Sequence, residues 1–133
     1  MSSDLYREQI IDLYENPLNY GELDPHDFTY EEDNPLCGDV IRIDVRLDDD
    51  GRVAGIRWRG DGCAISQASA SLLTEEIKGK TLEEVKAFPK ERLLELIGVP
   101  LSMARVKCAL LALKVLKAGA YGLPDPDEIH HHE

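Results

Sequence analysis

From Asp39 to Asp48 the apolar residues Ile41, Ile43, Val45 and Leu47 alternate with Arg42, Asp44, Arg46 and Asp48. Side chains of a strand point to opposite faces in turn, so this period of two describes a strand with one face on a core and one in water. The "DDDGR" that follows carries Asp50-Gly51, a turn signal, and "VAGIRWR" returns with Ala54, Ile56 and Trp58 set against Gly55 and Arg57. The two runs predict an antiparallel hairpin with a single apolar face. Such a face has to be covered by other elements of the chain, and everything else in the sequence is read against that requirement.

The cover is helical. In "DLYREQIIDLYENP" the residues Leu5, Ile10, Leu13 and Tyr14 recur at helical spacing, after candidate N-caps at Ser3 or Asp4 and before Pro17. "NPLNYGELDPHD" is rich in Asn, Pro, Gly and Asp and reads as a connecting loop, and "FTYEE" as a short edge strand. After "GDGC" the pattern turns helical again, with Ile65, Ala68, Leu72, Leu73 and Ile77 apolar and Gly79 placed as a C-terminal cap. Thr81 and Glu84 form a capping box, and Pro89 and Gly98 bracket a further short helix. A long last helix carries Val106, Leu110, Leu113 and Leu116 on one side and is expected to stop at Gly119. The prediction is an α+β fold: a small antiparallel sheet of about three strands with helices packed on one face. One domain over residues 1–120 is expected, followed by an acidic, flexible tail over 121–133.

At 133 residues the chain can bury a core without covalent staples. Its three cysteines cannot all pair with one another, and no secretory leader opens the sequence, so a reducing cytoplasm is the expected setting. No apolar run approaches the roughly 20 residues of a membrane span. Asp and Glu total 26 against 15 Lys and Arg, a formal charge of −11, which opposes binding to nucleic acid or to an anionic membrane.

The chemistry concentrates at the cysteines. Cys37 lies in the loop before the first hairpin strand with Asp39 two residues on, Cys63 joins the second strand to a helix, and Cys108 lies within the last helix. The start of one hairpin strand and the exit of the other share an end of the sheet, so Cys37 and Cys63 are expected to be neighbours. Three thiolates and a carboxylate would complete a four-coordinate zinc shell, or hold a small iron-sulfur unit with one oxygen ligand. Soft sulfur ligands exclude magnesium and calcium. Each signal also has an ordinary structural reading: Cys108 as a small core residue, "GDG" as a turn, Asp39 as a backbone cap. A cysteine nucleophile would have His26 as its one candidate base outside the tail, and His130, His131 and His132 read as tail residues rather than a site.

Taken together, "NPLCGD", "GDGCAISQASASLLTEEIKGKT" and "ARVKCALLALKVLKAG", with "LYREQIIDLYENPLNYG" ahead of them, resemble the SufU/IscU scaffold family, whose domain also stands at the front of NifU proteins. The resemblance runs from about Leu5 to Gly119. It implies that Cys37, Asp39, Cys63 and Cys108 are the ligands of Zn2+ or of a transient [2Fe-2S] cluster. It also implies that sulfur arrives from a cysteine desulfurase of the SufS/IscS kind and that the cluster leaves for recipient apo-proteins or downstream assembly factors. The protein would be a carrier rather than an enzyme, with a sulfurtransferase-like role. A hard oxygen ligand among thiolates suits a site that must release its cargo.

Within the family the sequence is mixed. Lys107 stands where IscU-type members carry a histidine, and "VPLSMARVKC" replaces the IscU-type "LPPVK" segment, both as in SufU-type members. The 45 positions from Cys63 to Cys108 lack the insertion typical of SufU. In the SufU reading Cys37 accepts the persulfide sulfur, a partner histidine having displaced one thiolate from zinc; in the IscU reading Cys108 is the first acceptor. Arg105 and Lys107 are expected beside the site as positive charges that stabilise thiolate or persulfide.

Overall fold

The structure is a computed structural model that describes residues 2–34 and 38–122, with side chains from Arg7 onward. Helix α1 (Ser2–Glu15) leads to strands β1 (Phe28–Asn34), β2 (Asp39–Leu47) and β3 (Val53–Asp61), then to helices α2 (Ala64–Ile77), α3 (Leu82–Lys86), α4 (Lys90–Ile97) and α5 (Met103–Gly122). The strands form one antiparallel sheet in the order β1-β2-β3, so the expected hairpin gains an edge strand longer than "FTYEE". Opposite pairs Ile43 and Trp58, and Val45 and Ile56, place the apolar positions of β2 and β3 on one face. All four are fully buried with Ile41. Helices α2 and α5 pack on that face, α1 lies on α2, and α3 and α4 close the remaining side against α5 and α2.

The return strand departs from strict alternation. Arg46 faces Gly55 while Leu47 faces Val53, so Ala54 is an extra residue that pairs with nothing. This bulge turns Val53 into the core and leaves Ala54 exposed, reversing the expected orientation of Ala54 while keeping that of Ile56 and Trp58.

The outer face of the sheet is not simply wet. The connecting loop runs along β3, where Trp58 N–H donates to Asn19 O at 2.9 Å, Gly21 N–H to Trp58 O at 2.8 Å, and Trp58 Nε1–H to Leu18 O at 2.8 Å. It then crosses β2, and Asp44, expected in solvent, is 1% exposed beneath it. Its carboxylate accepts from Thr29 Oγ1–H at 2.5 Å, Leu23 N–H at 3.1 Å and Arg42 Nε–H at 3.3 Å.

Local signals set the helix ends. Thr81 and Glu84 form the capping box at α3, Pro89 caps α4, and Gly98 ends it with φ 76°. Two expectations on α1 are corrected: the helix starts at Ser2, ahead of Ser3 and Asp4, and Tyr14 is 48% exposed while Ile10 and Leu13 carry the contact. The stop at Gly119 is also corrected. Helix α5 continues to Gly122, and Gly119 is buried within it against the Phe28 ring, where a Cβ would lie 2.7 Å from Phe28 Cδ1. Nor is α5 one-sided: Cys108, Ala109, Leu111, Ala112, Leu113, Val115 and Leu116 are all buried, because the sheet lies on one flank and α2, α3 and α4 lie on others. Of the tail expected over 121–133, Tyr121 and Gly122 belong to α5, and 123–133, with His130, His131 and His132, lie outside the described residues.

Candidate metal and sulfur site

Asp39 opens β2 and Cys63 follows β3 by two residues, and the pairing of Val40 with Asp61 brings the two to one end of the sheet. Cys63 is the N-cap of α2. Asp39 Oδ1 accepts its backbone N–H at 3.1 Å, and Asp39 Oδ2 lies 3.9 Å from its sulfur. Gly62 makes this approach possible: a Cβ there would sit 2.7 Å from Asp39 Oδ1 and 2.5 Å from Ser66 Oγ. The Gln67 side chain braces the turn by donating to Gly62 O at 2.9 Å.

Cys108 arrives from α5. The small residues of "ASAS" let α2 and α5 come close, and the Ser69 hydroxyl donates to Ala109 O, tying the helices together one residue past the cysteine. One ligand atom each from Asp39, Cys63 and Cys108 then lie within 4.8 Å of one another. Asp39 is 1% exposed and Cys108 3%, with Cys63 half-buried and its thiol free.

This donor set fits a thiophilic metal or cluster. Ligands on a tetrahedral zinc with roughly 2.3 Å bonds to sulfur stand roughly 3.8 Å apart, so a contraction of about 1 Å closes the site. The charge balance points the same way: among the described residues no lysine, arginine or histidine pairs with the buried Asp39 carboxylate. A buried carboxylate without a cation is costly.

The other expected residues fall as follows. Cys37 lies outside the described residues; beside it, Gly38 adopts φ 72° and donates its N–H to Asn34 O at 2.8 Å. Arg105 and Lys107 are exposed on the first turns of α5. Arg105 lines an open cleft of about 590 Å³ with Arg7, Ile10, Ile65, Val99 and Leu101, and Ala64, next to Cys63, borders it too. His26 is at the wrong end of the sheet. Its Nδ1 lies 2.9 Å from Leu23 O, and the adjacent Asp27 donates its N–H to the carbonyl of Val45, six residues along β2 from Asp39 and thus roughly 20 Å away. His26 is thereby too far from Cys63 and Cys108 to serve as their base. Sequence reading missed Ser66 and Gly62, although Ser66 stands three residues after Cys63 on a helix, the spacing at which side chains meet. Arg7 gave no signal, since nothing in the sequence brings α1 to the start of α5.

A three-stranded antiparallel sheet backed by helices, with two cysteines gathered at one end around a buried aspartate that has no cationic partner among the described residues, defines a class of small α+β protein with a candidate sulfur-rich ligand site. Comparison with known proteins makes the class specific. The family described as NifU-like N terminal domain matches residues 5–125, and the chain belongs to that family of IscU/SufU scaffolds. It is 39% identical over 116 residues to the iron-sulfur cluster assembly scaffold protein IscU of Haemophilus influenzae, covering 85% of this chain and 90% of that one. It is 38% identical over 132 residues to the zinc-dependent sulfurtransferase SufU of Bacillus subtilis, covering 86% and 88%. The alignment with SufU is longer than the part of this chain it uses, so SufU carries residues that this chain lacks. Among solved structures, a protein described as an iron-sulfur cluster assembly scaffold for the SUF system of Fervidobacterium islandicum superposes with a TM-score of 0.71 at 27% identity, over 90% of this chain and 99% of that one.

Proposed function

We propose that this chain is an iron-sulfur cluster assembly scaffold that receives sulfur from a cysteine desulfurase, gathers it at Cys37, Asp39, Cys63 and Cys108, and passes the product to recipient apo-proteins. The observation that carries the reading is the meeting of Asp39, Cys63 and Cys108 at one end of the sheet around a carboxylate that has no cationic partner among the described residues. The relatives named as cluster assembly scaffolds support it over 85% of the chain. Zinc, when bound, would hold these cysteines as thiolates.

The residues divide the work. Gly62 and Gln67 fix the turn that presents Cys63, and Asp39 Oδ1 holds the Cys63 backbone, which leaves Oδ2 directed at the shared site. Arg105 and Lys107 are exposed on the turn of α5 before Cys108, and positive charge there would favour an incoming persulfide. The apolar cleft with Arg7 and Arg105 adjoins the same turn and offers the desulfurase a docking surface. The protein works in a reducing cytoplasm as a carrier with a sulfur-accepting step. Among the described residues no helix is long and apolar enough to cross a membrane.

The test is zinc, iron and acid-labile sulfide per chain, measured anaerobically before and after incubation with a desulfurase, cysteine, ferrous iron and a dithiol reductant that supplies the electrons for reducing persulfide sulfur to sulfide. Iron and sulfide rising together to equal amounts supports the scaffold. Zinc that persists with no sulfide bound would instead favour a relay that never holds a cluster. Persulfide labelling of Cys37→Ser and Cys108→Ser separately identifies the acceptor, and full labelling in both variants would remove both candidates.

A further inference from the structure

Two oxygen atoms flank the Cys63 sulfur: Asp39 Oδ2 at 3.9 Å, already in the proposed ligand set, and Ser66 Oγ at 3.8 Å. Ser66 is 1% exposed, and its hydroxyl donates to the Cys63 carbonyl at 3.0 Å. A hydroxyl has one proton to give. With that proton on the carbonyl, Ser66 Oγ can only accept from the sulfur, which suits a thiol carrying its own hydrogen. A sulfur that ligates a metal or cluster has no hydrogen and is solely an acceptor. It would then face the serine lone pairs at close range.

Rotation about the Ser66 Cβ–Oγ bond removes the conflict by turning the proton from the carbonyl to the sulfur. The carbonyl is not stranded, because it still accepts the Gln67 N–H at 3.2 Å. The hydroxyl is held at this spot by its burial and by its place against Gly62. We propose that Ser66 is a positioning residue of the ligand site, whose hydroxyl donates to the Cys63 sulfur whenever that sulfur is a ligand and to the Cys63 carbonyl otherwise. Such a bond fixes the direction of the sulfur and draws charge from it, and partners of this kind are worth about 10- to 100-fold in metal affinity.

The inference rests on the proposed ligand site, and zinc alone and cobalt(II) alone, added to the full chain, test the two separately. Affinity is read by competition with a chelator, and the thiolate-to-cobalt charge-transfer band is read in the near ultraviolet. Ser66→Ala is expected to bind one equivalent of metal about tenfold more weakly, with the band moved to lower energy because the sulfur lone pairs are no longer stabilised. Ser66→Thr keeps the hydroxyl and is expected to hold the wild-type band. An unchanged band and affinity in Ser66→Ala would overturn the role of Ser66 while leaving the site intact. Equal band shifts in the Ala and Thr variants would overturn it too, by tracing the effect to packing. Failure of the wild-type chain to bind either metal would take down the ligand site itself.

Discussion

Asp39 and Asp44 lie on one strand, both 1% exposed, and are satisfied in opposite ways. Asp44 has three donors around it, whereas Asp39 has one backbone amide and a thiol. Burial pushes the Asp44 pKa up, but hydrogen bonds from Thr29, the Leu23 amide and Arg42, with the charge of Arg42, outweigh it, and the net direction is down. A carboxyl held below its unfolded value of roughly 3.9 adds stability above that value and loses it as pH falls through the folded pKa. Asp44→Asn should therefore lower stability at pH 7 by about 2 kcal/mol and by less near pH 2. Urea unfolding at both pH values checks this, and an equal gap at both would remove Asp44 from the acid response. The meeting of Asp39 with Cys63 at one end of the sheet was legible in the sequence, because Asp39 opens the first hairpin strand and Cys63 follows the second. The burial of Asp44 was not, because alternation assigns a residue to a face but cannot say that a loop from elsewhere will roof that face.

At the scale of elements, helix α5 shows where a sequence signal changes meaning. Glycine commonly follows the last turn of a helix, so Gly119 reads as a stop. In the fold it is the point where α5 meets β1, and its missing side chain makes room for Phe28. Gly119→Ala brings two opposed effects: an alanine in a helix gains about 1 kcal/mol, and a Cβ 2.7 Å from the Phe28 ring forces the helix off the sheet, costing about 1–3 kcal/mol. The crowding should win in the wild-type background. With Phe28→Leu in place the same change should become neutral or stabilising, so thermal unfolding of the four proteins yields a coupling. Additive effects would show that Phe28 is not what excludes a side chain at 119. The hairpin was legible for the same reason that its bulge was not: Ile43, Val45, Ile56 and Trp58 carry a clear period, while one unpaired residue, Ala54, leaves no mark in composition.

For the whole molecule the question is whether metal holds the fold or the fold holds metal. The proposed ligand atoms lie at one end of the sheet, and the core built from Ile41, Ile43, Val45, Trp58, Leu73, Ile77 and Leu116 does not pass through them. The capped helices α3 and α4, the loop along β3 and the seat of Phe28 on Gly119 likewise hold without a ligand. A structural zinc protein behaves otherwise, since its metal supplies the folding energy and its removal unfolds the chain. Here chelation should leave far-ultraviolet circular dichroism and cooperative urea unfolding in place. What is lost is the binding term: free zinc at about 100 times Kd adds about 2.7 kcal/mol, so the Tm should fall by about 10 °C on stripping. The loosening should concentrate where α2 begins and α5 passes, because one carboxylate oxygen of Asp39 and the sulfurs of Cys63 and Cys108 then meet without a shared cation. Hydrogen exchange should rise around Cys63 and Cys108 and stay slow at Ile43 and Trp58. Global unfolding on chelation would make the metal structural and end the carrier reading, since a scaffold that unfolds on releasing its cargo could not be reloaded at the same site.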